Sequence, residues 1–418
     1  MFWKLALVPF TASVAYTWTQ RASTFEAAPL PEEFKEINLN FLDRVLENYD
    51  KRLWPTYGTS APTEVAVELF VNSLGPLDNS NMDFRVNFYL RQSWFDPRLD
   101  LRRVGINETL MLNGDDIASQ IWKPDLTFAN VKVARVQEIT LPTIMVKIFP
   151  DGNITYSIRL NLRLRCLMNL MLYPFDSQRC SVLIRSYAHA VEETILRWKE
   201  DPLILSHPFE LPEFDLVEYF DTSLLRELPA GNFSVLEASF VFERRRGYHF
   251  LYGYLPSSLI VCGSWVLLWL KLEIPQAIAA LGAVKLLAMV SLASSVRGTI
   301  PRVSYVKAID VWFATCIMFV FALLTVATTA HYLVRVRMRP LCVLRFDHWV
   351  GNTYYKLRYG RPADDFLLTM NKENKLELNR NVKMAQALRR KARLMFPLCF
   401  ALFNIVYWPF YTLRSYVE

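Results

Sequence analysis

Two kinds of hydrophobic pattern divide the chain near residue 247. Before it, apolar and polar residues alternate. In FRVNFYLRQSW, Phe84, Val86, Phe88 and Leu90 take one face, and Arg85, Asn87, Tyr89, Arg91 and Ser93 take the other. In YSIRLNLRLRC, Ile158, Leu160, Leu162 and Leu164 alternate with Ser157, Arg159, Asn161, Arg163 and Arg165 in the same way. A period of two is that of a strand half buried against a core. Repeated between Pro- and Gly-containing turns, it predicts an antiparallel β-sandwich, with a short helix ahead of it in 30–55.

After residue 247 the alternation gives way to continuous apolar runs. YHFLYGYLPSSLIVCGSWVLLWL contains no Asp, Glu, Lys or Arg, and its length is enough to cross a hydrocarbon core of about 30 Å. Three further runs follow: AIAALGAVKLLAMVSLASSV after Pro275, AIDVWFATCIMFVFALLTVATTAHYLV, and LMFPLCFALFNIVYWPFYTL. Four spans return the chain to the side on which it began. The segment 335–393 holds about three times as many Lys and Arg as Asp and Glu, which marks it as cytoplasmic. Its last part, NKLELNRNVKMAQALRRKAR, predicts a polar helix running into the fourth span. The expected organisation is a signal peptide over 1–20, an extracellular β-sandwich over 21–247, three transmembrane helices over 248–334, a cytoplasmic loop with a basic helix over 335–391, and a fourth transmembrane helix over 392–418. The fold class is a β-sandwich extracellular domain followed by a four-helix transmembrane bundle, an α+β multi-domain membrane protein.

Composition agrees. Of 418 residues, 52% are hydrophobic, as the spans require. The net charge of +7 is accounted for by the basic segment, so no nucleic-acid partner is implied. MFWKLALVPFTASVAYTWTQ has one lysine before a short apolar run ending in small residues, the form of a secretory signal. Export permits disulfides. Cys262, Cys316 and Cys399 fall in spans and Cys342 in the basic segment, which leaves Cys166 and Cys180 as the pair on the exported side. Sequons at Asn107, Asn153 and Asn232 lie on the same side. The exported half shows no metal-ligand cluster, nucleophile motif or phosphate loop, so neither an enzyme nor a cofactor is expected. Tyr89 with Arg91, and Ser157 with Arg159, each place an aromatic or hydroxyl group beside a cation on an exposed face. They are solvated strand residues or part of a binding surface.

A sandwich followed by four spans, with thirteen residues between two cysteines enclosing Tyr173, Pro174 and Asp176, resembles the Cys-loop receptors, the pentameric ligand-gated ion channels. IWKPDLTFAN, the Pro256 of GYLPS, IPRVSYVKAIDVW and FPLCFALFNIVYW extend the likeness over the chain. SYVKAID and GNFSVLEA are similar to the glycine, GABA and glutamate-gated chloride branch. The resemblance implies a plasma-membrane receptor of nerve or muscle with its N-terminus outside. Four further subunits complete the pentamer, and a small agonist binds between subunits. It matches Tyr187 and Phe233 to the aromatic box of the principal face and Tyr89 to the complementary face. Arg91 and Ser157 match the clamp for an agonist carboxylate. Relatives often carry a glutamate where this chain has Arg185, which disfavours an ammonium and favours a second anionic group. The second disulfide of glycine receptors is absent, with Val235 at its position. An acidic amino acid, a neutral amino acid or amine, and a non-binding structural subunit all stand as readings at this point.

By the same likeness the disulfide loop lies against the membrane domain and passes ligand binding to the pore. Arg244 is then placed to pair with Asp176, and Pro301 and Lys307 lie in the connector after the second span. In that span Ala280, Val284, Leu287, Ser291, Ser294 and Gly298 recur every three or four residues, a single helical face that would line the pore. Chloride members usually carry Pro-Ala-Arg at the cytoplasmic mouth and cation members a glutamate. This chain has IPQAIAALG, with Ala277 and Ile278 there. Glu273, farther toward the cytoplasm, weighs toward cations, while Lys285 inside the span and Arg297 at the outer mouth weigh toward chloride. The balance predicts chloride.

Overall fold

The computed structural model describes residues 41–47, 49–113, 115–137, 142–229, 231–270, 275–298, 300–335 and 364–417. The expected signal over 1–20, Glu273 and Cys342 lie outside these. A short helix α1 (Phe41–Leu46) leads into eleven strands: β1 (Thr63–Asp78), β2 (Asp83–Phe95), β3 (Leu110–Asn113), β4 (Leu126–Phe128), β5 (Val131–Val136), β6 (Ile144–Ile148), β7 (Asn153–Arg165), β8 (Ser177–Ser186), β9 (Thr194–Leu205), β10 (Phe214–Leu228) and β11 (Gly231–Arg244). A second short helix, α2 (Asp115–Gln120), precedes β4.

The strands form two sheets. One runs β3-β6-β7-β2-β1-β9, with β5 also on β7; the other runs β10-β11-β8-β4. The alternation read from the sequence is observed: Phe84, Val86, Phe88 and Leu90 are buried and meet Val182, Ile184, Leu236, Ala238 and Phe240 of the other sheet in one core. One expectation is corrected. The sandwich is not wholly antiparallel, because β9 pairs with β1 in parallel, Thr63 opposite Thr194. After β8 the chain crosses to the other sheet and enters β9 at the end where β1 begins, bonded there by Thr63 N–H to the Glu193 carbonyl at 2.8 Å. Parallel neighbours need such a crossover and cannot be joined by a tight hairpin.

Four helices long and apolar enough to cross a membrane follow: α3 (Gly247–Leu268), α4 (Pro275–Gly298), α5 (Ala308–Arg335) and α6 (Asp364–Val417). In α3, residues Phe250–Tyr254 adopt a π turn just before Pro256. Proline has no amide to give its preceding turn, and one extra residue in that turn absorbs the lost bond. α6 runs unbroken for 54 residues, so the polar helix expected before the fourth span is continuous with it.

The bundle is closed around Trp312 of α5, which is 1% exposed. Its indole donates to Ser257 Oγ of α3 at 2.9 Å, and its rings pack on Tyr254, Phe400, Phe403, Tyr407 and Trp408. At the end of the bundle away from the sheets, α6 reaches across to α3. Arg389 donates to the carbonyls of Leu268 and Leu270, and Arg393 to Leu268 at 2.9 and 3.1 Å. Carbonyls at a helix C-terminus have no intrahelical donor, and two guanidiniums here supply one.

Candidate functional site

The outer face of the large sheet carries two rows of side chains set by strand register. Glu68, Arg91, Ser157 and Met145 lie opposite one another in one row, and Phe70, Tyr89 and Arg159 in the next. With Thr143 and Ile144 these surround a cavity of about 330 Å³, to which Arg159 and Glu68 do not contribute. The expected Tyr89, Arg91 and Ser157 therefore converge. Ser157 is 7% exposed although its alternation places it outward, because it sits between the longer side chains of Arg91 and Met145 in its row.

Arg91 is not free. Its Nη1 donates to Glu68 Oε1 at 2.5 Å, and Lys199 Nζ donates to Glu68 Oε2 at 2.9 Å. Burial alone would raise the Glu68 carboxyl, but the hydrogen bonds from Lys199 and Arg91 outweigh it and hold it below its usual range. Two cations share one carboxylate, so this cluster keeps one net positive charge. Arg91 also sits 5.3 Å over the Phe70 ring, and Arg159 lies 5.3 Å over the Tyr89 ring. Glu68, Lys199 and Phe70 were missed by sequence reasoning. The alternation of Glu68 and Phe70 along β1 was their available signal.

The small sheet faces the other way. Tyr187, just past β8, is 74% exposed. Its amide and that of Ala188 are held by Asp125 Oδ2, while Asp125 Oδ1 takes Ser186 Oγ at 2.7 Å. Phe233 is placed differently from Tyr187. It is 5% exposed and offers no ring face to solvent in a single copy. The β10–β11 hairpin is tight, with Leu228 opposite Gly231, and Val191 N–H bonds the Asn232 carbonyl at 2.9 Å, which draws the hairpin tip onto the turn after β8. Arg185 lies on the outer face of β8, opposite Val235 and Thr127. Asn107, Asn153 and Asn232 are exposed.

Between sheets and bundle lies the loop closed by Cys166–Cys180, which are disulfide-bonded. Asp176 and Arg244 form a bidentate pair at 2.8 and 2.9 Å with side chains 2% and 1% exposed. The Arg244 guanidinium is held between the rings of Tyr173 and Phe214, 4.6 and 4.4 Å away, and also donates to Asn79. The loop caps α5: the amides of Ala308 and Ile309 donate to the carbonyls of Met171 and Tyr173, satisfying donors that a helix N-terminus leaves open. Pro174 follows in the same loop. Phe175 then packs on Tyr254 and Trp408, and its carbonyl accepts Ser415 Oγ of α6 at 2.6 Å. Lys307 is 8% exposed, not a solvated interface charge, because it pairs with Asp310 at 3.3 Å. Asp310 also takes Arg297 of α4 at 2.9 Å, so the α4–α5 connector that includes Pro301 is tied at both ends. Asp310 was not singled out by sequence reasoning.

On α4 the face formed by Ala280, Val284, Leu287, Ser291, Ser294 and Gly298 is exposed throughout, with Leu287 at 70%. Ile278, expected at the mouth, is 2% exposed. It points into the bundle, two residues off the open face, and Ala277 is half-buried. Lys285 sits off the open face. Its ammonium lies against α3, where a Cβ added at Gly263 would come within 2.9 Å of Nζ. One residue is about 100° of helix rotation, and that turn carries Lys285 from the open face to the packed one.

The chain matches a family description, neurotransmitter-gated ion-channel ligand binding domain, over residues 38–246, and a second, neurotransmitter-gated ion-channel transmembrane region, over 253–341. It is 37% identical over 301 residues to a Drosophila melanogaster protein named gamma-aminobutyric acid receptor subunit beta-like, an alignment covering 70% of this chain and 60% of that protein. A sandwich whose disulfide loop caps a membrane helix, joined to a bundle with one helix face left open, agrees with both matches, and the chain belongs to the neurotransmitter-gated ion-channel family.

Proposed function

We propose that the chain is one subunit of a pentameric plasma-membrane channel, with its sheets outside the cell, opened by a small carboxylate-bearing amino acid and conducting chloride. One observation carries this reading. The cavity beside Arg91 and the Tyr187 turn lie on outward faces of opposite sheets, so one copy cannot bring them together. Neighbouring copies in a closed ring bring them together at every interface. The same ring turns the open α4 faces toward a common axis, where five Leu287 side chains form an apolar constriction that gates by dewetting. The named relative is a γ-aminobutyric acid receptor subunit, which supports an amino acid as agonist.

Chloride is supported by charge. The segment 276–298 contains no Asp or Glu. At its outer end Arg297 and Lys307 share the single carboxylate of Asp310, leaving one net positive charge per subunit. Lys285 lends less support, since it faces α3. Replacing external chloride by a large anion is expected to shift the reversal potential of agonist-evoked current, while replacing sodium leaves it unchanged. A shift with sodium alone would sink the chloride assignment.

Arg91→Ala is expected to raise the half-maximal agonist concentration about 10- to 100-fold, the loss of one charge-assisted hydrogen bond. An unchanged curve at normal surface expression would remove Arg91 from the site. The Glu68 carboxylate already on Arg91 favours a second reading, a subunit that joins the ring without binding agonist. Surface pentamers that neither bind nor conduct would establish it.

A further inference from the structure

Among the described residues before 247, Phe95 is the one phenylalanine with half its surface in water, 51% exposed. Tyr57, Tyr187 and Tyr219 are exposed there too, but each has a hydroxyl to give to the solvent. Phe95 has none. It ends β2 on the outward face of the large sheet, and strand register sets Asn153, the first residue of β7, directly opposite it. The Asp96 N–H bonds the Gly152 carbonyl at 2.9 Å, so the adjoining pair, Phe95 with Asn153, is of the non-hydrogen-bonded kind in which side chains stand closest. In the next pair on that face the hydroxyls of Ser93 and Thr155 are accordingly 3.1 Å apart. Gly152 completes the fit: its φ is +90°, and a Cβ there would lie 2.8 Å from the Asp96 carbonyl oxygen and 3.4 Å from the Phe95 ring.

Asn153 is exposed and opens the sequon Asn153-Ile154-Thr155. Asp151 holds its amide in place. One Asp151 oxygen takes the Asn153 backbone N–H at 3.1 Å, and the other takes its side-chain Nδ2 at 2.6 Å. A glycosylated asparagine amide keeps one of its two N–H donors, so the bond to Asp151 can persist once a sugar is attached. The other two sequons are built differently: Asn232 stands opposite Glu227, and Asn107 lies between elements.

We propose that Asn153 carries an N-linked glycan whose first N-acetylglucosamine lies flat on the Phe95 ring. The inference rests on the reading that the sheets are outside the cell, because such sugars are added on the exported side. A β-linked glucosamine presents one face of axial C–H groups, which suits the negative face of an aromatic ring, and the contact removes the ring from water. Asn153, Thr155 and Ser157 follow one another on the outward face of β7. The base of the glycan is thereby pinned about 13 Å from Ser157, at the rim of the face that carries the Arg91 cavity and not over it.

Glycopeptide mapping and thermal melts test it, using the full chain expressed in cells that make only oligomannose glycans and solubilised as assembled channels. Endoglycosidase H leaves the first sugar on each asparagine; peptide N-glycosidase F, applied to a parallel sample, removes it. The endoglycosidase-treated channel is expected to melt within about 1 °C of the untreated one, and the fully deglycosylated channel about 2–4 °C lower. Phe95→Leu keeps apolar bulk and loses the ring face, so the gap between the two treatments should fall to less than about half, while Phe95→Tyr preserves it. Asn153 bare while Asn107 or Asn232 carries sugar overturns the proposal and leaves the outside placement of the sheets standing. Absence of sugar from all three asparagines overturns that placement as well. Asn153 occupied with equal melts after the two enzymes, or with the full gap retained in Phe95→Leu, means a glycan without a stack and overturns the proposal.

Discussion

Arg244→Ala is expected to remove channels from the cell surface. The substitution takes away one partner of a pair whose side chains are 1% and 2% exposed, leaving Asp176 buried with Gln178 Nε2 as its remaining side-chain donor. Breaking a buried pair in this way costs about 3–5 kcal/mol, a large share of a domain's stability. The two flanking rings lose their filling as well. Surface biotinylation and size-exclusion of solubilised protein give the measurement. The double variant Arg244→Met/Asp176→Leu should be less damaging than Arg244→Ala, because no charge is left stranded. Normal surface pentamers from Arg244→Ala would show that the pair does not hold the disulfide loop in place.

Trp312→Ala is expected to be as damaging for a different reason. No charge is involved; the loss is volume. Trp312 is the largest side chain in the bundle interior and touches rings from α3 and α6. Emptying such a site costs about 3–5 kcal/mol where the surroundings cannot collapse. The Ser257 hydroxyl loses the Trp312 indole but keeps its bonds to the carbonyls of Gly253 and Tyr254, so most of the effect should come from packing. Trp312→Phe, which keeps a ring and loses the indole N–H, should therefore retain assembled protein with a lowered melting temperature. If Trp312→Phe were as destructive as Trp312→Ala, the hydrogen bond would outrank the packing.

Where a period alone decides a side chain's direction, the sequence was sufficient. The open face of α4 follows from the helical repeat, and the buried face of β2 from alternation. The family likeness made the Asp176–Arg244 pair legible. The partner of Arg91 was not. Glu68 and Arg91 face each other only through register, and β1 slips against β2 between Val71 and Ser73 and again between Leu74 and Leu77, so counting back from the turn gives the wrong neighbour. Phe233 was read from family likeness alone, and its exposure in one copy depends on how closely the hairpin is drawn against its surroundings. Lys285 shows the limit on helices. The period fixes its angle from Leu287, but which helix fills that sector is a tertiary fact.

The two places where α6 grips the rest of the bundle set a length. Arg393 holds the end of α3 on one side, and Ser415 holds the disulfide loop on the other. Ser415 follows Arg393 by 22 positions, about 33 Å of helix, close to the hydrocarbon thickness of a bilayer, about 30 Å. A helix fastened at one end can slide or tilt to suit the lipid around it. This one is fastened at both, so in a thicker or thinner membrane the lipid must stretch or compress around the protein, at a fraction of a kcal/mol per Å of mismatch. The protein's share of that strain is borne by both contacts, and one of them is Ser415 on Phe175. Membrane thickness thereby bears on the same loop that joins the sheets to the pore.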